Sequence, residues 1–233
     1  MDKKLFLPFM VLVVLLVSLA CSAVSGSPEP SATLPPLATT VPLPTSTPRV
    51  TSLISDDFSS TSSGWGVGTD AEGSIEYVDG TFLFEVYSDY YIIWSGPNRR
   101  IYTDVRADVD VVNSSTDDVA MFGIICHEQD SQDFYFLGVT GGGQYAIAKS
   151  IVGQDNVYLA DGTSASIPAA GQSFTIGADC GNGNLALYVN DQQIATAQDS
   201  TFTSGYVGLF AWSDANPNAT KVSFDNFELR QLP

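Results

Sequence analysis

The residues best placed to do chemistry are three acids and a base on one side of a single extended segment: Asp104, Arg106, Asp108 and Asp110. Carboxylates in such a row suit general acid–base work, but a general acid needs a raised pKa, and Arg106 among them lowers theirs. The row therefore reads as a solvated face. His127 is followed by Glu128, yet adjacent strand residues point to opposite faces, so the two do not form a working pair. His127 is also the only histidine, which excludes histidine-rich zinc sites. Gly141-Gly142-Gly143 lacks the lysine and helix of a phosphate loop and reads as a hairpin turn. Oxygen ligands remain. Asp56 and Asp57 near the first strand, and Asp225 and Asn226 on the last, are candidates for a structural calcium, because first and last strands of sandwiches commonly pair. The alternative is that Asp-Asp-Phe opens a strand and Asp225 caps a neighbouring donor.

The elements that must position these groups have a period of two. Thr103, Val105, Ala107, Val109 and Val111 alternate with the polar row beginning at Tyr102, which describes a half-buried strand. Similar strands are expected at 81–87, 119–127, 133–139, 144–149, 173–179, 184–189, 192–197, 205–212 and 221–229, separated by Gly, Asn and Asp. Asn190-Asp191 marks a tight hairpin. No stretch after residue 50 sustains a helical period, so residues 51–233 are expected to form one antiparallel two-sheet sandwich of about twelve strands. Residues 22–50 hold seven of the twelve prolines and ten Ser or Thr, with no aromatic side chain, the composition of a disordered linker. Residues 1–21 read as a bacterial lipoprotein signal: Lys3 and Lys4, an apolar run from Leu5 to Val17, and small residues before Cys21, the acceptor for lipid. Such a chain stays on the outer face of a membrane, outside the cytoplasm. Ser18 stands where these signals most often carry Leu, so ordinary cleavage with full secretion is the alternative. A net charge of −17 and few Lys or Arg exclude nucleic acid as a partner.

Asp56-Asp57-Phe58, Phe122-Gly123-Ile124-Ile125-Cys126, Asp133-Phe134-Tyr135-Phe136, Gly143-Gln144-Tyr145, Asn184-Leu185-Ala186-Leu187-Tyr188-Val189-Asn190, Gly205-Tyr206-Val207-Gly208-Leu209-Phe210 and Phe224-Asp225-Asn226-Phe227 follow one another in an order that resembles the concanavalin A-like lectin/glucanase jelly roll. The likeness runs over residues 53–230 and is strongest to LamG-like and 3-keto-disaccharide hydrolase-like domains of bacterial surface lipoproteins. It implies two curved sheets face to face, with sugars lying across the concave one. Retaining glycanases of that fold carry two glutamates and an aspartate alternating on one strand. No Glu-x-Asp-x-Glu occurs here, and the reading leans away from an enzyme.

Cys126 follows Ala120, Phe122 and Ile124 on one strand face, and Cys180 follows Phe174, Ile176 and Ala178 on another, so both point to the apolar side. In an exported chain this favours a disulfide, the alternative being two buried thiols. If those rows face inward, the opposite rows are free to meet a ligand. Trp94, His127, Tyr135, Tyr188 and Trp212 are the candidate ligand-binding residues, since a pyranose face stacks on a flat ring while its hydroxyls seek polar groups. The expected function is non-catalytic binding of carbohydrate or another glycan; a 3-keto-disaccharide hydrolase-like enzyme and a purely structural domain are the alternatives.

Overall fold

The computed structural model describes residues 51–216 and 219–233, so the expectations for the signal peptide, the linker and Cys21 lie outside the described residues. The described chain forms β1 (Ser52–Asp56), β2 (Gly68–Thr69), β3 (Gly73–Val78), β4 (Thr81–Val86), β5 (Ile92–Ser95), β6 (Val105–Asn113), β7 (Met121–Glu128) and β8 (Phe134–Thr140). It continues through β9 (Gln144–Ser150), β10 (Val157–Thr163), β11 (Ser173–Gly181), β12 (Asn184–Val189), β13 (Gln192–Gln198), β14 (Tyr206–Trp212) and β15 (Thr220–Gln231). Every strand pairing is antiparallel. Nine strands form one sheet in the order β13-β12-β11-β6-β15-β4-β3-β2, with β1 paired to β15, and six form the other in the order β10-β9-β8-β7-β14-β5.

Turn chemistry fixes the hairpins. Asn190 and Asp191 both have positive φ, 49° and 61°, as a type I′ turn needs, and Asp79-Gly80 and Asn182-Gly183 repeat the device. Gly143, at φ 82°, turns β8 into β9. Strands that the alternation leaves unannounced, β1, β2, β3, β5 and β10, are short or lie at or near a sheet edge. β10, at the margin of the six-stranded sheet, has no fully buried residue, and without a buried face there is no alternation to read.

Val105, Ala107, Val109 and Val111 of β6 meet Phe122, Ile124 and Cys126 of β7 in the core between the sheets, together with Phe174, Ile176, Ala178 and Cys180 of β11. Cys126 and Cys180 form a disulfide, with Cα atoms 6.5 Å apart. Because β7 and β11 belong to different sheets, the bond crosses the sandwich. Closing its 54-residue loop stabilises the fold by about 4 kcal/mol in the chain-entropy picture.

Candidate functional site

Residues directly opposite each other in paired strands share a face, so register shows what each outer surface carries. On the outer side of the six-stranded sheet, Trp94 of β5 lies opposite Phe210 of β14, which lies opposite Gly123 of β7, then Gly138, Ala146 and Asp161 of β8 to β10. The small residues leave a depression into which the Phe210 ring settles; a Cβ on Gly138 would stand 2.7 Å from its Cζ. Phe210, Phe134, Phe136, Ile125, Ala146 and Ala148 form a second apolar cluster, separate from the core, with Ile92, Trp94, Met121 and Trp212 packed half-buried around it. All seven residues of β8 are buried in consequence. Burial of each phenylalanine contributes roughly 2 kcal/mol, so the rings at the centre hold the fold, while those at the margin keep part of their surface in water. A hollow of about 210 Å³ opens there between Tyr90, Trp212 and Tyr158. Tyr90 and Tyr158 are 66% and 58% exposed.

His127 does not join this surface. Its φ of 54° starts a β-bulge, since Tyr206 pairs with Glu128 while Gly208 pairs with Ile125. The bulge turns His127 inward, where Nδ1 and Nε2 face the carbonyl oxygens of Phe202 and Thr103 at 3.0 and 2.7 Å. Glu128 takes the outer position instead, and its Oε1 accepts a 2.9 Å hydrogen bond from Trp94 Nε1. That carboxylate holds the indole in place at one end of a cleft of about 660 Å³. Beside it the Tyr206 hydroxyl donates to Asp130 at 3.0 Å, and the Arg99 guanidinium, ion-paired with Asp130, lies 4.7 Å from the Tyr206 ring centre.

Tyr135 is also turned inward. It pairs with Cys126 and shares its core-facing side, leaving Phe134 and Phe136 on the outer one. Its hydroxyl donates to Asp199 at 2.5 Å and accepts from the Phe202 amide at 3.0 Å. Burial, helped by the Asp199 carboxylate, pushes the phenol up to about 12. Burial works the other way on Asp199, but hydrogen bonds from Lys149, Thr201 and Tyr135 outweigh it and hold that carboxyl well below the usual range. The two form a structural clasp, with Lys149 Nζ 2.6 Å from Asp199 Oδ2.

Tyr188 sits on the far side of the molecule, on the outer face of the nine-stranded sheet, and its ring is already covered. The Arg106 guanidinium lies 3.8 Å from its centre, and its hydroxyl donates to Asp179 at 2.7 Å. Burial and Asp179 raise this phenol to about 12. Arg106 binds Asp108 at 2.7 Å and Asp179 at 3.2 Å, and Arg230 also meets Asp108. The Arg106 and Asp108 side chains are 13% and 12% exposed, so the centre of the row expected to be a solvated face is instead part of an ion-pair network, while Asp104 and Asp110 accept from the Asn182 amide and Thr175 Oγ1. Gly177 makes room for it, as a Cβ there would collide with both side chains. Only Trp94 and Trp212 of the five candidate residues share the aromatic surface.

The proposed calcium ligands turn to separate partners. Asp56 accepts from the Phe58 amide at 2.9 Å and Trp65 Nε1 at 2.8 Å. Asp57 accepts from Ser59, Asp225 from the Asn226 amide, and Asn226 Nδ2 donates to Asp110. Among the described residues no three His, Cys, Asp or Glu side chains are grouped to hold a metal. The residues missed by sequence, Glu128, Phe134 and Phe136, carried one usable signal: Phe134 and Phe136 share a parity that Tyr135 opposes.

No protein-family model matches the sequence, and no curated protein is similar to it. Solved structures are. The carbohydrate-binding module CBM66 from Bacillus subtilis superposes with a TM-score of 0.59 at 14% identity, covering 72% of this chain and 96% of that one. The β-glucanase of Bacillus licheniformis gives 0.56 at 14% identity, over 78% and 98%. The fold is the concanavalin A-like jelly roll. A GlcNAcα1-4Gal-releasing endo-β-galactosidase from Clostridium perfringens is similar as well, with a TM-score of 0.58 at 9% identity over 79% of this chain and 63% of that one. Within this jelly roll the two outer faces are chemically opposite, one apolar and aromatic, the other charged and internally ion-paired.

The clasp sets an acid limit on stability. A carboxyl depressed on folding stabilises the native state above its unfolded pKa of about 3.9 and loses that contribution as pH falls through the folded value. Asp199→Asn should therefore be less stable than the parent at neutral pH and lose less on acidification below about pH 4, as measured by urea denaturation across pH; an unchanged pH slope would contradict the clasp.

Proposed function

We propose that this jelly roll is a non-catalytic glycan-binding domain that lays a carbohydrate chain across the outer face of its six-stranded sheet. One observation carries the reading. On that face an apolar cluster stands in a position normally given to polar side chains, its centre of Phe210, Phe134 and Phe136 buried and its margin of Trp94, Trp212 and Tyr158 reaching solvent. Flat rings bordered by carboxylates and hydroxyls suit sugars, which present an apolar ring face and a polar edge. The carbohydrate-binding and glycan-cleaving names of proteins with similar folds favour the same ligand class. Absence of the alternating glutamates favours binding over cleavage, and the carboxyls with altered acidity, Asp57, Glu76 and Asp199, are all shifted down, away from what a general acid needs.

The same proposal places the domain outside the cell, tethered by lipid at Cys21 and held off the membrane by the proline-rich segment. Labelling of the bacterial host with radioactive palmitate should mark the parent chain and not Cys21→Ser; an unlabelled parent would replace anchoring with secretion.

Binding is tested on the full chain by affinity electrophoresis against uncharged polysaccharides (β-glucan, xylan, galactan and mannan). Trp94→Ala and Trp212→Ala should each weaken retention by about tenfold or more while leaving the circular-dichroism spectrum unchanged. Tyr188→Phe, on the opposite face, should bind as the parent does. Release of reducing ends from any of these chains would show an enzyme instead.

A further inference from the structure

The charge of the ligand can be read from the groove that would hold it. The first cleft and the central hollow share Ile92, and the hollow shares Met121, Tyr158 and Trp212 with a third cleft of about 560 Å³. The three depressions thus adjoin and together make up the groove, from the β5 edge of the sheet, where β2 and β3 also line it, to β10. At the usual strand spacing its six strands extend about 24 Å, room for a chain of several sugar rings rather than one.

Charged side chains occur only at the two ends. Asp70, Glu128 and Arg99 border the first cleft, Asp161 and Asp214 border the third, and the hollow between has none. None of the four carboxylates is in a salt bridge among the described residues, whereas Arg99 is paired with Asp130 and donates to Tyr206. No lysine borders any part of the groove.

We infer that the groove selects an uncharged glycan chain and rejects polyanionic ones such as uronate or sulfated polymers. This rests on the glycan-binding reading above and narrows its ligand. Sugar hydroxyls are donors that these carboxylates, none of them in a salt bridge and each with oxygen lone pairs to spare, accept in charge-assisted hydrogen bonds. A carboxylate or sulfate in the same position meets like charge at both ends with one committed cation to offset it. The net charge of −17 adds a long-range repulsion that salt screens, while repulsion at contact with the partly buried Glu128 and Asp214 is screened less. A polycation would find its charge partners only at the ends, over a central stretch built for apolar ring faces.

The experiment compares binding of the full chain to the four uncharged polysaccharides with binding to polygalacturonate, heparin and chitosan, at about 0.05 and 0.5 M NaCl. At the higher salt, polygalacturonate and heparin should bind at least about tenfold more weakly than the best uncharged chain, and the uncharged chain should change by less than about threefold between the two salts. The combined Glu128→Gln, Asp161→Asn, Asp214→Asn variant should narrow the gap. Heparin, polygalacturonate or chitosan binding as tightly as the best uncharged chain at the higher salt overturns the inference and leaves glycan binding standing, as does a gap unchanged in the variant. Retention of no glycan in any arm overturns the glycan-binding reading and the inference with it.

Discussion

A strand in a two-sheet sandwich has one face to hide and one to show, and the Cys126–Cys180 bond pins that choice on an inner strand of each sheet. A one-residue slip in either β7 or β11 would turn its cysteine outward and exchange every core residue for a surface one. With the bond in place, Phe122 and Ile124 are committed inward, which leaves Met121, Gly123 and Ile125 on the outer side. The register then carries that assignment across β14 and β8 to Phe210, Trp212, Phe134 and Phe136.

The two outer faces use the same backbone for different ends. On the nine-stranded sheet, Arg106, Asp108, Asp179, Arg230 and Tyr188 pair with one another, with the Arg230 Nε–H left unpaired, and the Arg106 guanidinium covers the Tyr188 ring. Partly buried ions gain only when their partners are well placed, and this network has few donors left to offer. On the six-stranded sheet, the apolar cluster is completed by rings at its margin whose outer surfaces remain in water. A sheet face of that kind costs free energy until something dry covers it, and a sugar ring is flat and dry enough on one side while remaining polar on the edge.

Much of the fold was legible because alternation is a local property. The rows of β6, β7, β11, β12 and β14 follow directly from their apolar spacing, and the Asn190-Asp191 turn from its residue types. What failed was non-local. His127 continues the alternation on paper, but two backbone carbonyls from distant segments draw its ring inward through a bulge that no neighbouring residue announces. Tyr135 would have been assigned correctly from its pairing with Cys126, a register that sequence does not display. Tyr188 lies on an outer row as expected, yet which sheet that row belongs to, and that Arg106 lies over the ring, depends on the β6–β11–β12 order.

The chain contains three tryptophans, and they divide between core and surface: Trp65 packs against Phe58 and Phe227 in the interior, while Trp94 and Trp212 border the aromatic groove. Their indole N–H resonances report the two environments separately. Titration with an oligosaccharide of the best-retained polymer should move the Trp94 and Trp212 signals together and leave Trp65 in place. Saturable binding that leaves Trp94 and Trp212 unmoved and shifts resonances of the nine-stranded sheet around Tyr188 would contradict the account.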